Sequence, residues 1–266
     1  MTADKKTEFA SRLRNGDYLT APGVFDLISA RIADRMGFPA LYMTGYGVVA
    51  SSFGLPDAGL ASYTEMVDRV KTIAAGTLTP LIADGDTGYG DLLNVQRTVR
   101  GYEQAGAVAI QLEDQKIPKK CGHTPNRRVI PVDDMVAKIR VAVAARESEN
   151  FLVIARTDAR TQYGLAEAIG RGQAFAKAGA DVVFVEAPES VDEMIEICRE
   201  IDGPLMANMV NGGKTPILSA EELKDLGYQI VIFPGTAFLA AGSAVQSVYQ
   251  HLKATGSSRG LPTPLY

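Results

Sequence analysis

Eight short apolar runs, each followed by a stretch of helical periodicity, constrain this chain more than any other feature. They are "YLTAPG" (18–23), "ALYMTG" (40–45), "TPLIADGD" (79–86), "AVAIQLED" (107–114), "FLVIARTD" (151–158), "DVVFVEAP" (181–188), "PLMANMV" (204–210) and "QIVIFPG" (229–235). Segments between them, such as "FDLISARIADRMG", "YTEMVDRVKTIAAG" and "LAEAIGRGQAFAKAG", repeat apolar residues at helical spacing. Several end in glycine, at Gly37, Gly76, Gly106, Gly179 and Gly227, just before the next strand, as a helix C-cap feeding a parallel strand requires. The runs are apolar almost without interruption, which marks a parallel sheet covered on both faces. Eight such units in 266 residues predict an α/β fold, a closed (β/α)8 barrel of the TIM type forming one domain over 1–266. The competing architecture is a doubly wound open sheet. Against it, no GxGxxG opens the first helix and no linker rich in Pro, Gly or Ser divides the chain.

Composition excludes several classes of function. A net charge of -4 leaves no global basic footprint, so neither nucleic acid nor an anionic membrane is an expected partner. No segment reaches the roughly 18 uninterrupted apolar residues of a membrane span, and the opening "MTADKKTEFASRLRNGD" has no apolar core for a signal peptide. The two cysteines, Cys121 and Cys198, lack CxxC spacing and fit thiols in a reducing compartment. A cytoplasmic protein is expected. Cys198 falls on a helical apolar face and reads as packing.

Polar residues recur where the runs end: Thr44, Asp84 and Asp86, Glu113, Arg156 and Asp158, Glu186, and Asn208. One of these alone reads as a capping or loop residue. In a barrel, however, the C-terminal strand ends converge on one mouth, where the active sites of this fold lie. In "ADGDTGYGD", Asp84 and Asp86 stand two residues apart, so an extended backbone would point both carboxylates the same way. A cation relieves their repulsion, and an all-oxygen set joined by Glu113 suits Mg2+, with Mn2+ able to substitute. A turn built on Asp and Gly is the structural alternative.

The stretch "KKCGHTPNRR" (119–128) gathers one of the two cysteines, one of the two histidines and four basic residues in a long segment, about 115–131, without hydrophobic period. Such loops are functional lids or are disordered. Lys119, Lys120 and His123 would favour the Cys121 thiolate, which could act as nucleophile, ligand or proton donor. Mutual repulsion of Lys119, Lys120, Arg127 and Arg128 predicts a loop that is mobile until an anion enters. His251, in the last helix, reads as surface or packing.

"GLPDAG" (54–59), "ADGDTGYG" (83–90), "LEDQ" (112–115), "KKCGH" (119–123), "IARTDA" (154–159) and "FVEAP" (184–188), in this order, resemble the phosphoenolpyruvate mutase/isocitrate lyase superfamily across essentially the whole chain. The "KKCGH" loop resembles its carbon–carbon lyase branch. The resemblance implies a last helix exchanged between subunits of a homotetramer and Mg2+ near Asp57, Asp84, Asp86 and Glu113. It implies that Tyr42, Thr44, Gly45 and Tyr46 hold the keto-acid end of the substrate, partly through backbone N–H groups. Arg156, Glu186 and Asn208 match further active-site positions, and Cys121 matches the general acid. Lys119, Gly122 and His123 belong to the loop that closes over the substrate. The implied activity is Mg2+-dependent cleavage of a small 2-hydroxy di- or tricarboxylate, of the 2-methylisocitrate or 2,3-dimethylmalate type, to a 2-oxo acid and a carboxylic acid. The proton acceptor is left open among Tyr42, Glu113 and a metal-associated water. A hydrolase yielding oxalate and acetate from oxaloacetate, and a silent carboxylate-binding protein, are the alternatives. Gln111 stands where relatives have histidine, Asn211 where they often carry Glu, and Tyr46 where a small residue is expected; all three are expected to border the pocket and alter substrate choice.

Overall fold

The computed structural model describes residues 4–122, 124 and 126–266. The strands are β1 (Leu19–Val24), β2 (Leu41–Met43), β3 (Leu81–Asp84), β4 (Ala109–Glu113), β5 (Leu152–Thr157), β6 (Val182–Val185), β7 (Leu205–Asn208) and β8 (Ile230–Phe233). Each pairs in parallel with the next, and β8 returns to β1, closing the predicted barrel. Around it lie α1 (Lys5–Arg14), α2 (Leu27–Arg35), α3 (Gly45–Phe53), α4 (Tyr63–Gly76), α5 (Leu92–Gln104), α6 (Val132–Ala145), α7 (Arg160–Tyr163), α8 (Leu165–Lys177), α9 (Val191–Glu200), α10 (Ala220–Leu226) and α11 (Thr236–Thr255). Ser62 with Glu65, and Ser219 with Glu222, form capping boxes that start α4 and α10.

Of the five glycines expected to end helices, Gly37, Gly106, Gly179 and Gly227 take positive φ. Gly76 does not. It is the last residue of α4, and a Cβ there would lie 2.3 Å from Leu27 Cδ1, so it is small in order to let two helices approach.

Three helices fall outside the eightfold repeat. The chain turns into α3 directly after β2 and into α7 after β5, while α1 precedes the first strand. The buried face of α1, Phe9, Ala10 and Leu13, joins the cluster that fills the barrel interior. Lys5 donates to Thr77 O at 2.6 Å and Arg14 to Asn150 Oδ1 at 2.8 Å, both just ahead of strands, so α1 lies across the N-terminal end of the barrel.

Alternation along each strand positions the site. Tyr42, Ile82, Ala109, Ile154, Phe184, Met206 and Ile232 pack in the interior cluster, whereas Leu41, Ala83, Ile110, Ala155, Val185 and Ala207 pack outward in the larger cluster beneath the helices. Stepping two residues along each strand from its interior residue gives Thr44, Asp84, Gln111, Arg156, Glu186 and Asn208. The parity that builds the apolar floor therefore also lifts Thr44, Asp84, Arg156, Glu186 and Asn208 to the mouth, while Gln111 stays below it. The register places Asp84 beside Gln111 and Glu113 beside Arg156.

Candidate active site

On one side of the mouth, backbone geometry confines the carboxylates. The chain leaves β3 at Asp84, and Asp86 takes the left-handed conformation (φ 47°), so the extended geometry expected over this pair does not persist. Instead the Asp86 N–H donates to Asp84 Oδ1 at 3.0 Å, and the Gly45 N–H, at the start of α3, donates to Asp84 Oδ2 at 3.2 Å. Gly45 must lack a side chain, because its Cβ would stand 2.6 Å from Asp84 Oδ2. Thr44 caps α3 through the Gly47 N–H, so the positive end of the helix faces the mouth. Burial, then the neighbouring Asp86, push Asp84 up to about 6.

Lys119 reaches this group from the long loop. Its ammonium lies 2.6 Å from Asp86 Oδ1 and also binds Asp57 Oδ1. Burial works against its charge, but Asp86, Glu113 and Asp57 outweigh burial and raise Lys119 well above its usual range. Burial likewise lifts Glu113 well above the usual carboxylate range, against the pull of Arg156, whose Nε is 3.6 Å from Glu113 Oε2. Glu113 Oε1 is buried with no hydrogen-bond partner among the described residues.

The other side is a closed set of charge pairs. Arg156 donates to Asp158 through Nε at 3.0 Å and Nη2 at 2.9 Å, and Nη2 is 3.2 Å from Glu186 Oε2. Its guanidinium carbon stands 5.1 Å from the Phe184 ring centre. Glu186 also accepts from Asn208 Nδ2 at 3.0 Å and from the N–H of Ala187 at 2.8 Å, a residue held at φ 59°. Burial opposes ionisation of Asp158, yet Arg156 and Arg127 hold it below the usual range.

The segment between β4 and α6 has structure of its own. Gln115 bridges antiparallel to Val129, the Lys116 N–H donates to Arg128 O at 2.7 Å, and the Gln115 amide meets the Lys120 N–H at 2.9 Å and its carbonyl at 2.8 Å. Arg127 is buried and donates to Asp158 Oδ1 at 2.7 Å and to Gly122 O. The expected repulsion among four loop cations is therefore corrected: Lys119 and Arg127 lie against carboxylates, and only Lys120 and Arg128 of the four are exposed. Gly122 rests directly on the charge pairs, where a Cβ would come within 2.3 Å of Arg156 Nη2.

These elements enclose a cavity of about 330 Å3. Of the residues expected from sequence, Tyr42, Thr44, Tyr46, Asp57, Asp84, Cys121, Gly122, Arg156, Glu186, Asn208 and Asn211 line it. Asp86 and Lys119 border a second cavity of about 340 Å3 instead. Gln111 is wholly buried and does not reach the pocket, contrary to expectation; it binds the Tyr42 hydroxyl and Asp84 from below. Gly45 stands behind the wall, with its N–H committed to Asp84. His123 lies outside the described residues. Sequence reasoning missed the apolar wall of Val210, Ile232, Pro234 and Leu239. "FPG" marks a strand end, but nothing in it says what the following helix faces.

Among the described residues no three His, Cys, Asp or Glu side chains converge as a ready metal cage. The four-carboxylate set expected for Mg2+ is interrupted by the Lys119 ammonium between Asp57 and Asp86. The donors still fit a hard cation. They are oxygens, they outnumber the one ammonium among them, and Glu113 Oε1 lacks a partner. Mg2+ keeps several waters and takes one or two carboxylates rather than a full protein cage.

Residues 9–253 match the phosphoenolpyruvate phosphomutase family, and the chain belongs to it. The 2,3-dimethylmalate lyase of Eubacterium barkeri is 46% identical over 98% of this chain and 89% of its own length. The 2-methylisocitrate lyase of Aeropyrum pernix is 43% identical over 94% of this chain and 80% of its own. Among solved structures, oxaloacetate acetylhydrolase with the inhibitor 3,3-difluorooxalacetate superimposes with a TM-score of 0.94 at 36% identity, covering 98% of this chain and 89% of that one. No helix among the described residues is long and apolar enough to cross a membrane.

Proposed function

We propose that this chain is a carbon–carbon lyase that cleaves a small 2-hydroxy di- or tricarboxylate, of the 2,3-dimethylmalate or 2-methylisocitrate type, into a 2-oxo acid and a carboxylic acid. The observation that carries the reading is the placement of Cys121, which the folded loop brings to the cavity that Tyr42, Arg156 and Asn208 also line. The similarity to two lyases supports it.

The substrate's hydroxy-acid end sits by Tyr42, Thr44 and the start of α3, where the helix favours an anion. As the hydroxyl proton passes to a base, whether Tyr42, Glu113 or a water, its oxygen forms a carbonyl with C2. The C2–C3 electron pair moves to the departing half, which leaves as an enolate-like anion. Arg156, fixed by its two bonds to Asp158, offsets charge at the new carbonyl oxygen. Cys121 gives its thiol proton to the carbon that received the pair. Mg2+, or Mn2+ in its place, would be held among Asp57, Asp84, Asp86 and Glu113, and when bound would supply positive charge to offset the negative charge developing on the substrate. The loop over about 115–131 acts as a lid that opens for exchange. Exchange of α11 between subunits of a tetramer is supported by its 20 residues, none of which is buried within a single chain.

Incubation with 2-substituted malates and isocitrates in Mg2+, with 2-oxo acid release as the readout, tests the reading. Pyruvate or glyoxylate together with a second acid is expected. Oxalate and acetate from oxaloacetate would replace the lyase with a hydrolase, and binding of the whole panel without turnover would leave a carboxylate-binding protein.

A further inference from the structure

Gln111 occupies an unusual position: it is wholly buried, lines neither cavity at the mouth, and joins two residues that line the first. Its Nε2 lies 3.4 Å from Asp84 Oδ1, and its Oε1 lies 2.8 Å from the Tyr42 hydroxyl. Both Asp84 oxygens already accept backbone N–H groups, from Asp86 and from Gly45, which marks this carboxylate as an acceptor on either side. An amide facing it must therefore present its NH2. That choice turns the amide oxygen toward Tyr42. An amide oxygen only accepts, so the phenol must donate. Reversing the amide would set two buried acceptors against each other at Asp84.

A phenol has one proton, and Gln111 takes it. What Tyr42 can offer to the cavity is a lone pair. We infer that Gln111 is a positioning residue that fixes Tyr42 as a hydrogen-bond acceptor, so that the pocket selects a ligand carrying a hydroxyl at that point over one carrying a carbonyl oxygen. This deepens the lyase reading and rests on its assignment of the cavity as the ligand site. A 2-hydroxy acid satisfies the lone pair with its own proton. A 2-oxo acid sets lone pair against lone pair, and leaving buried polar groups so opposed costs on the order of 10- to 100-fold in affinity.

Neutral imidazole has one donor and one acceptor nitrogen, and thus repeats the polarity of the amide in this bridge. Leucine fills the space and repeats neither. The probes are malate and freshly prepared oxaloacetate, which share a carbon skeleton and differ at C2, titrated calorimetrically with Mg2+ present. The wild-type chain is expected to favour malate by at least about tenfold. Gln111→His should keep that ratio. Gln111→Leu, which frees the phenol proton to turn into the cavity, should bring the ratio to within about threefold of unity, and Tyr42→Phe should collapse it by removing the lone pair. If Gln111→Leu weakens both ligands equally and the wild-type ratio survives, Gln111 only packs and the inference fails. Should Gln111→Leu not fold, a wild-type ratio that persists in Tyr42→Phe overturns it equally. Wild-type protein that binds neither acid removes the ligand-site reading itself, a different failure from an unchanged ratio.

Discussion

Between β5 and β7 the mouth has neutralised itself: Arg156 and Arg127 stand against Asp158 and Glu186, and the Glu186 carboxylate also accepts from the Asn208 amide and a backbone N–H. At β3 the balance is different, since Asp57, Asp84 and Asp86 crowd around the single ammonium of Lys119. The first region is charge-balanced by folding and can act as a fixed template. The second is left with surplus negative charge, and burial of that surplus lifts Asp84 toward neutrality. The difference shows where folding leaves negative charge unbalanced. The loop ties the two regions together, because Lys119 belongs to one and Arg127 to the other.

The greatest expected effect falls between the regions, at Cys121. Cys121→Ser should keep ligand affinity while kcat falls by about 10² to 10⁴, the usual cost of losing a general acid. Near-normal kcat on the true substrate would reduce the loop to a binding element. Next comes the charge-balanced side. Arg127→Met breaks a buried pair and should lower stability by about 3 kcal/mol, read from the urea midpoint, while exposing the loop to protease. An unshifted midpoint would show that the pair is not what anchors the loop.

The unbalanced side should respond in the opposite sense. Asp86→Asn removes surplus charge, so thermal stability should hold or rise, while calorimetric Mg2+ affinity drops on the order of tenfold or more. Equal Mg2+ affinity in variant and wild type would mean the cation belongs elsewhere. Smallest of all, Lys120→Ala and Arg128→Ala lie on exposed side chains and should change stability by no more than about 0.5 kcal/mol. Losses matching that of Arg127→Met would erase the division between buried and exposed loop cations.

The barrel was legible because its evidence is repetitive: eight apolar runs, the helices between them, and glycines at their ends state one architecture many times. Asp84, Arg156, Glu186 and Asn208 were legible for the same reason, since each lies at a strand end or within one residue of it. What escaped was whatever depends on a single contact. The positive φ of Asp86 replaces the extended geometry its spacing suggested, and the loop cations looked mutually repulsive because their carboxylate partners, Asp57 above all, are distant in sequence. The facing of each strand residue was hidden too, because both faces of a parallel strand are apolar. Gln111 looked like pocket lining and proved to lie beneath it.

The small helix across the base of the barrel carries a consequence in the order of synthesis. Phe9 and Leu13 of α1 pack among side chains that include Ile230 and Ile232, and Leu19 pairs with Ile230, so these residues find neighbours that are made much later. At ribosomal rates of about 5–20 residues per second, the stretch between Leu19 and Ile230 takes roughly 10–40 s to emerge. Throughout that interval β1 lacks at least one of its two flanking strands, and Phe9 has an incomplete cavity to enter. A nascent chain arrested before residue 230 should therefore leave this amphipathic segment open to chaperones, and its release from them should report the moment at which the ring closes.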